Sequence, residues 1–491
     1  MTSSDDGNEV IPGVRIGGEL SAGATVVEVV CPATGEMLGR VYGGGSAEVD
    51  RAVGVARGAL GAWHALPGAE RAGALRAIAG GLRAEPDDGL ATLITRETGK
   101  RFAEGRGEVA FSAAYFDWFA GIAETQREGV LDMPGRSYVI RRRPLGVVGV
   151  ITPWNFPASI PARKLAAALA AGCTAVFKPS EFAPLSGLRF AEILEGHLPA
   201  GACNTVAGDG EVVSNALADH PEVAAVTFTG STRVGTLIAA RCAATLTRAT
   251  LELGGKAPFV VCEDADVAEA VEVLMVAKYR NNGASCIAAN NVFVHRDVYR
   301  PFVDAYRERS LALVVGDPMD DQVELGPMIT QAHVVRLAGL LDDARANGAE
   351  VAQAAPVPRE GSFVAPTVVE VPDGCRMWDE EIFGPVTAIR SYEDQAAVIA
   401  EINSWPFGLG GYVCSANSGH AADLAGRLAI GIVGVNNGAP NTPEVPFGGF
   451  KRSGIGSEGG VQGADEFIGW QTVSTAADAR DGGGSARGRG W

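Results

Sequence analysis

Three segments of the chain carry side chains that could act together on a carbonyl group. Asn155 lies in Ile-Thr-Pro-Trp-Asn-Phe-Pro, residues 151–157, where prolines and aromatics stiffen the loop, and a fixed amide can donate to an oxyanion. Glu252 lies between two leucines, and apolar surroundings raise the pKa of a carboxyl group, which suits a general base. Cys286, in a glycine-containing turn, is either a small buried residue or a nucleophile. Taken one by one, these segments could also be a packed loop, a strand with an outward-facing glutamate and a small buried cysteine.

Other segments suit a ligand that carries phosphate and sugar groups. Lys178 and Glu181 follow a short apolar run, and a carboxylate at a sheet edge can accept both hydroxyls of a ribose. Gly230 and Ser231 lie where a strand is followed by a helix, and free N–H groups there can bind a phosphate. In the loop 380–385 a phenylalanine could pack on a flat ring while a glutamate holds sugar hydroxyls. Alone, each segment is also consistent with a charged loop or a sterically required glycine.

Short apolar runs alternate with helical periodicity through most of the chain. Such runs are typical of strands buried on both faces of a parallel sheet, so the alternation predicts a doubly wound α/β architecture, followed by a second α/β set from about residue 257. The predicted strands are 137–143, 146–151, 174–178, 225–229, 258–262 and 292–295. The predicted helical stretches are 48–64, 69–84, 89–126, 160–171, 184–196, 266–280 and 298–313.

Length and charge limit the class of protein. A chain of 491 residues exceeds what one hydrophobic core usually serves, so two or three domains are expected. The net charge of -17 argues against nucleic acid and anionic membranes as partners. No apolar run is long enough to span a bilayer, and the polar, acidic start does not resemble a signal peptide. We expect a cytoplasmic protein.

The cysteines and histidines are scattered. The eight cysteines form no Cys-x-x-Cys pair, and the six histidines form no His-x-x-x-His pattern. These spacings predict neither a disulfide framework nor a metal site.

Taken together and in this order, the segments resemble the aldehyde dehydrogenase superfamily from about residue 25 to about residue 475, and within it most of all the succinate-semialdehyde dehydrogenases. The resemblance implies a Rossmann-like nucleotide-binding domain, an α/β catalytic domain and a small β oligomerisation arm. It also implies a homodimer or homotetramer. The expected bounds are 10–125 and 145–254 for the nucleotide-binding domain, 255–452 for the catalytic domain, 126–144 and 466–476 for the arm, and 1–9 and 477–491 for disordered tails.

The resemblance also implies a reaction and its residues. Cys286 would attack the aldehyde, Asn155 with the Cys286 N–H would hold the oxyanion, and Glu252 would activate water to hydrolyse the thioester to a carboxylic acid. The cofactor would be NAD, with NADP as the alternative, because a carboxylate at Glu181 repels a 2′-phosphate. The residues expected at the cofactor are Ile151, Thr152, Trp154, Lys178, Glu181, Gly230, Ser231, Gly254, Glu381 and Phe383.

The substrate is the least determined feature. Arg163 and Arg280 fall where the succinate-semialdehyde group has its two carboxylate-binding arginines, and a guanidinium fork suits a carboxylate, phosphonate or sulfonate. Asn441 or Thr442 would replace that group's substrate-binding serine, and Ala284 replaces the usual glutamine of the family, so sulfo-, phosphono- and neutral aldehydes stay open. An acylating, coenzyme A-dependent dehydrogenase and a catalytically silent relative are further alternatives, against which the intact catalytic positions argue.

Overall fold

The computed structural model describes residues 10–125, 128–354 and 357–476. The tails expected to be disordered, 1–9 and 477–491, lie outside the described residues.

The secondary structure alternates between strands and helices over most of the chain. The strands are β1 (Val10–Pro12), β2 (Val14–Ile16), β3 (Glu19–Ser21), β4 (Thr25–Val30), β5 (Met37–Gly43), β6 (Gly129–Met133), β7 (Arg136–Pro144), β8 (Val147–Ile151), β9 (Thr174–Lys178), β10 (Cys203–Val206), β11 (Val223–Thr229), β12 (Arg248–Glu252), β13 (Ala257–Val261), β14 (Ala289–His295), β15 (Glu350–Gln353), β16 (Thr367–Glu370), β17 (Val386–Tyr392), β18 (Phe407–Gly408), β19 (Gly410–Cys414), β20 (Ile432–Val435), β21 (Phe450–Lys451), β22 (Gly454–Ile455) and β23 (Ile468–Ala476). The helices are α1 (Ser46–Ala65), α2 (Gly68–Arg83), α3 (Leu90–Thr98), α4 (Phe102–Thr125), α5 (Ser159–Ala170), α6 (Pro184–Glu195), α7 (Gly210–Asp219), α8 (Thr232–Thr245), α9 (Val267–Tyr279), α10 (Tyr299–Leu311), α11 (Gln331–Ala346), α12 (Arg376–Asp379), α13 (Gln395–Ser404), α14 (Ser418–Arg427) and α15 (Gln462–Asp465), with 3₁₀ turns at Arg280–Gly283 and Arg296–Val298.

The first large sheet is built around five parallel strands. Its order is β22-β12-β11-β8-β9-β10-β2-β3, and β12, β11, β8, β9 and β10 run parallel. The chain passes from β8 outward to β10 and then returns to place β11 on the other side of β8. Ligands bind at such a reversal, beyond the carboxyl ends of the two strands, which here are Ile151 and Thr229.

The second large sheet faces this edge. Its order is β15-β16-β17-β14-β13-β19-β20, and every pair except β15 with β16 is parallel. Only residues 253–256 separate the carboxyl end of β12 from the amino end of β13, and Cys286 lies three residues before β14 begins. The fold therefore brings the carboxyl edge of one sheet close to the amino edge of the other.

The apolar runs predicted as buried strands are strands, and every residue of β8 and β9 is buried. Hydrophobic contact on both faces explains this, because helices cover both sides of the sheet. The predicted helical stretch 89–126 is two helices rather than one. They separate at Gly99, which adopts φ +78° and lies against Pro327, a position where a side chain would clash.

The basic strand predicted at 137–143 is β7. It is the middle strand of a sheet ordered β23-β7-β6, so both of its edges are paired. The pairing arises because the turn at Pro134-Gly135 folds β6 back on β7, while the end of the described chain returns along its other side. The open edges belong to β6 and β23. The domain bounds and the oligomerisation role of this arm stay predictions.

Within the described residues, no helix combines the length and the apolar character needed to span a bilayer.

Candidate active site

Cys286 follows a turn whose backbone is held in an unfavourable conformation. Asn281 and Asn282 both have positive φ, at 54° and 56°, and Gly283 follows at 75°. A β-carbon at Gly283 would lie 2.4 Å from a backbone oxygen of the neighbouring loop, so glycine is required there. Asn282 Nδ2 donates to the Gly99 carbonyl at 2.9 Å, which fixes the turn against the start of α4. Strain of this kind persists only where surrounding contacts enforce it.

Asn155 is buried beside this turn and lines the same cavity as Cys286. Its Nδ2 donates to the carbonyl oxygen of Ala284 at 3.1 Å, while Oδ1 has no hydrogen-bond partner among the described residues. A side-chain amide carries two N–H groups, so one remains for an oxygen atom in the cavity. This N–H group could donate to an oxygen on a carbon bound to the Cys286 sulfur.

Glu252 ends β12 and is almost fully buried, with 1 % of its surface exposed. Neither carboxyl oxygen has a hydrogen-bond partner among the residues that the structure describes. Burial raises its pKa well above the usual value, Glu458 adds to the rise, and Arg163 and Lys164 oppose it. Such a carboxyl group keeps its proton where an exposed glutamate has lost it, which is typical of an acid–base catalyst.

A buried ionic network lies behind Glu252, and the sequence analysis missed most of it. The Glu458 carboxylate pairs with both Arg163 Nε, at 2.6 Å, and the Lys164 ammonium. Lys164 Nζ also donates to Thr227 Oγ1 at 2.8 Å. Burial lowers the pKa of Lys164, and the two cations hold the pKa of Glu458 below its usual value despite its burial. Two adjacent basic residues inside the otherwise apolar helix α5 were the signal available in the sequence.

The groups around the Cys286 thiol have opposing effects on its pKa. Burial raises its pKa to about 12, Arg163 and Arg280 lower it, and Glu252 raises it. The thiol is therefore protonated at neutral pH in this state. Formation of the reactive thiolate requires a proton acceptor or an added positive charge close to the sulfur.

Two adjoining cavities occupy the crevice between β8 and β11, with volumes of about 570 and 340 Å³. The second reaches Cys286, and the two share Trp154, Gly230 and Ser231 in their walls. The structure places all the predicted cofactor residues in these walls: Ile151, Thr152, Trp154, Lys178, Glu181, Gly230, Ser231, Gly254, Glu381 and Phe383.

The first of these cavities fits the adenosine and phosphate parts of a dinucleotide. Lys178 Nζ contacts Glu181 Oε2 at 2.6 Å, so a carboxylate and an ammonium lie together at the end of β9. A β-carbon at Gly210 would lie 2.4 Å from Glu181 Oε1, so that glycine makes room for the carboxylate. Ser231 caps α8, and the helix N-terminus at the cavity wall offers N–H donors to phosphate.

The second cavity fits a ribose and a flat ring next to Cys286. A β-carbon at Gly254 would lie 2.6 Å from Glu381 Oε2, so glycine at this position leaves room for the carboxylate in the cavity wall. Burial raises the pKa of Glu381 to about 7, opposed by the Gly255 N–H. Phe383 adopts a positive φ of 55°.

Two residues of α11 that the sequence analysis missed hold this loop through its carbonyl groups. His333 Nε2 bonds the Phe383 carbonyl at 2.7 Å, and Arg336 donates to the carbonyl of Ile382 at 2.9 Å and to that of Glu381.

A separate cavity of about 280 Å³ lies on the other side of Cys286. Three of the four predicted substrate residues, Arg163, Arg280 and Asn441, line it, whereas Thr442 does not. The two arginines differ in charge balance. Arg163 is paired with Glu458, but Arg280 has no carboxylate within 4.0 Å among the described residues, and its NH1 donates only weakly, at 3.4 Å, to Asn441 Oδ1.

Outside these cavities, Glu263, His295 and Asp297 come close enough together to hold a cation. Two of the three are exposed carboxylates, and such groups are common at protein surfaces without an ion. We assign this cluster no role.

A crevice at the strand reversal of a doubly wound sheet, opening on a cysteine, points to a dehydrogenase, and the comparisons show the family to which the chain belongs. The chain belongs to the aldehyde dehydrogenase family, whose family model matches residues 20–473. It is 39% identical to a glutarate-semialdehyde dehydrogenase of Pseudomonas aeruginosa, over 90% of this chain and 92% of the relative. It is 38% identical to an NADP-dependent succinate-semialdehyde dehydrogenase of Escherichia coli, with the same coverage.

A solved structure agrees with this assignment. The succinate-semialdehyde dehydrogenase of Burkholderia pseudomallei superposes with a TM-score of 0.92 at 38% identity, covering 94% of this chain and 98% of the other. The protein is therefore an enzyme that oxidises aldehydes with NAD or NADP.

Proposed function

We propose that the enzyme oxidises an aldehyde with an acidic group at its far end, such as succinate semialdehyde, to the carboxylic acid. The observation that carries this proposal is Arg280, a cation without a carboxylate partner in the described structure, in the cavity that ends at Cys286. Arg280 is partly buried, and a cation with no carboxylate partner in such a place is unfavourable by itself, so an anionic ligand gains a charged hydrogen bond there. The cavity volume of about 280 Å³ suits a small substrate.

The names of similar proteins support an anionic substrate. Besides the glutarate and succinate semialdehyde enzymes, they include an aspartate-semialdehyde dehydrogenase of Halomonas elongata at 39% identity and a 3-sulfolactaldehyde dehydrogenase of Pseudomonas putida at 36%. Each named aldehyde carries a second, acidic group. Carboxylate and sulfonate both present two anionic oxygens on one atom, which a guanidinium fork can bind together, so sulfoaldehydes belong in the test panel.

In the proposed mechanism the Cys286 thiol releases its proton to solvent, the sulfur attacks the aldehyde carbon, and the Asn155 amide donates to the oxygen that becomes negative. Bound NAD supplies an oxidised nicotinamide ring that can accept a hydride. Loss of hydride from the adduct carbon restores the carbonyl group and leaves a thioester on Cys286. Glu252 then takes a proton from water as the water oxygen attacks the thioester carbon. The C–S bond breaks, Glu252 returns its proton to the departing sulfur, and the products are the acid and the Cys286 thiol.

Glu252 separates this mechanism from two alternatives. Transfer of the acyl group to coenzyme A needs no base for water, so a buried glutamate with a raised pKa favours hydrolysis. A catalytically silent relative would not need an amide, a carboxyl group and a thiol together beside two cavities.

We also propose that NAD is preferred to NADP. The Glu181 carboxylate would repel a 2′-phosphate, although its ion pair with Lys178 offsets part of that repulsion.

The sheet of β6, β7 and β23 is proposed to join copies into a homodimer or homotetramer. Its outer strands leave apolar side chains such as Val130 and Trp470 exposed. Light scattering coupled to size-exclusion chromatography checks the assembly, and a monomer would contradict it.

The substrate proposal is tested by NADH formation at 340 nm with succinate semialdehyde, butyraldehyde and a sulfoaldehyde. We expect kcat/KM to be about 30-fold or more higher for succinate semialdehyde than for butyraldehyde, which corresponds to about 2 kcal/mol. Equal values would rule out an anion-selective site. The Cys286→Ala variant is the control for the chemistry, and unchanged turnover in it would refute the covalent mechanism.

A further inference from the structure

Three ionisable residues with four-residue spacing lie at the start of α4 and line the substrate cavity. They are Lys100, which precedes the helix, and Glu104 and Glu108 in its first two turns. Lys100 and Glu108 are 1 % and 5 % exposed. A buried ion pair is often no more stable than apolar residues of the same size, so stability alone does not explain the pair.

Lys100 and Glu108 hold the loop that carries Asn155. The Lys100 ammonium donates to the main-chain oxygen of Asn155 at 2.7 Å and pairs with Glu108. It also lies 4.3 Å from the centre of the Phe156 ring. The other oxygen of Glu108 accepts the N–H groups of Ala158 and Ser159 at 2.9 and 3.1 Å. One ion pair thus holds the loop at Asn155 and at its junction with α5.

Glu104 holds the turn that carries Cys286. Its Oε1 accepts the Asn281 N–H at 2.8 Å, and its Oε2 lies 3.6 Å from Arg101 Nε. Asn281 is one of the two asparagines with positive φ, and its Nδ2 donates to Asn155 O at 2.8 Å and to Ala284 O at 2.9 Å. The same helix therefore anchors both the oxyanion loop and the nucleophile turn.

We propose that Lys100, Glu104 and Glu108 are positioning residues that set the separation between the Asn155 amide and the Cys286 sulfur. This inference rests on the proposed function. A shift of about 1 Å in a reacting pair can lower a rate about 100-fold. A buried ion pair that fixes the position of the Asn155 loop therefore favours the reaction. The three residues act through Asn155 and Cys286 and take no part in bond making.

A double-mutant cycle tests the Lys100–Glu108 pair. The combined change Lys100→Met and Glu108→Gln removes the ion pair without leaving a buried unpaired charge, and glutamine keeps an acceptor for the two N–H groups. The rate of NADH formation is measured in a single turnover with enzyme in excess, in the wild-type and in the Asn155→Ala background. We expect a fall of about 10- to 100-fold in the first background and little further fall in the second, with unchanged NADH affinity.

Conservative rescue tests Glu104. Glutamine keeps the acceptor for the Asn281 N–H, so Glu104→Gln should retain a rate near that of the wild type, whereas Glu104→Ala should lower it about tenfold or more. Glu104→Ala should also shift the pH dependence of Cys286 alkylation by iodoacetamide, because the turn before the sulfur is released. Equal rates in the two variants would overturn the role of Glu104.

A matched control lies elsewhere on the molecule. Glu85 is also a mostly buried carboxylate that accepts a main-chain N–H, that of Leu90 at 3.1 Å, and pairs with Arg189 at 2.6 Å. Glu85→Ala should lower the melting temperature and leave the single-turnover rate unchanged.

The outcomes distinguish failure of the positioning role from failure of the proposed reaction. If the Lys100/Glu108 double variant slows the reaction equally in both backgrounds, the positioning role is refuted while the proposed reaction stands. If Asn155→Ala by itself keeps the full rate, the proposed oxyanion role of Asn155 fails, and the positioning inference fails with it.

Discussion

Replacing each arginine of the substrate cavity should have different consequences, because only one of them is already neutralised. Arg280 has no carboxylate partner among the described residues, whereas Arg163 is bound to Glu458. Arg280→Ala should therefore weaken recognition of an anionic aldehyde and leave a neutral one unaffected. Arg163→Ala should instead slow all aldehydes, because it disturbs the network that surrounds Glu252.

The size of the first effect follows from the loss of a charged hydrogen bond. Hydrogen bonds to charged groups contribute about 1.5 to 3 kcal/mol, and removal of one partner of a buried charged pair costs about 2 to 5 kcal/mol. We expect kcat/KM for succinate semialdehyde to fall at least about 30-fold in Arg280→Ala, which is about 2 kcal/mol. For butyraldehyde we expect a change of less than about 1 kcal/mol, because no charged group is bound.

The second effect acts through Glu252. Without the Arg163 guanidinium, Glu458 keeps only Lys164 as a cationic partner, and one of the charges that lower the pKa of Glu252 is lost. A further rise in that pKa leaves less of the basic form at neutral pH. We expect kcat to fall for both aldehydes in Arg163→Ala.

The assay is NADH formation at 340 nm with both aldehydes for the wild type and the two variants. Circular dichroism and melting temperature confirm that each variant is folded. If Arg280→Ala lowers kcat/KM for both aldehydes by the same factor, Arg280 does not recognise the anion. If Arg163→Ala affects only the anionic aldehyde, the two arginines act alike and the distinction between them is wrong.

Three further predictions concern single carboxylates. Glu252→Gln should keep the first burst of NADH and lower steady-state turnover about 100-fold or more, and a variant with normal turnover would exclude the role of Glu252 as the base. Wild-type turnover should also rise with pH, because the base acts deprotonated and burial raises the pKa of Glu252. Glu181→Gln should raise kcat/KM with NADP relative to NAD about tenfold, because a like-charge repulsion of roughly 1 to 4 kcal/mol between the carboxylate and the 2′-phosphate is removed. An unchanged ratio of the two kcat/KM values would contradict this prediction. NADH should bind more tightly as the pH rises through about 7, because Glu381 then becomes a carboxylate that accepts ribose hydroxyls. Fluorescence titration should show no such pH dependence in Glu381→Gln. A wild-type affinity that does not change with pH would argue against this contact.

The strands, and the crevice at their carboxyl ends, could be predicted from local sequence, and the reason is geometric. A run such as Thr174 to Lys178 is apolar because helices cover both faces of its strand, so its position is visible without the fold. Residues at the carboxyl ends of parallel strands meet at one edge of the sheet. Lys178 and Gly230, both singled out in the sequence as candidate ligand-binding residues, accordingly line the same cavity.

The charge balance of the substrate cavity was decided by the tertiary structure alone. Arg163 and Arg280 look equivalent in the sequence, but Glu458, 295 residues after Arg163, pairs with only one of them. The contact of Lys100 with the Asn155 carbonyl likewise joins residues 55 positions apart. Local periodicity indicates which face of an element is buried. The partner of a buried charge depends instead on how distant elements pack, so only the folded chain shows which partner it is.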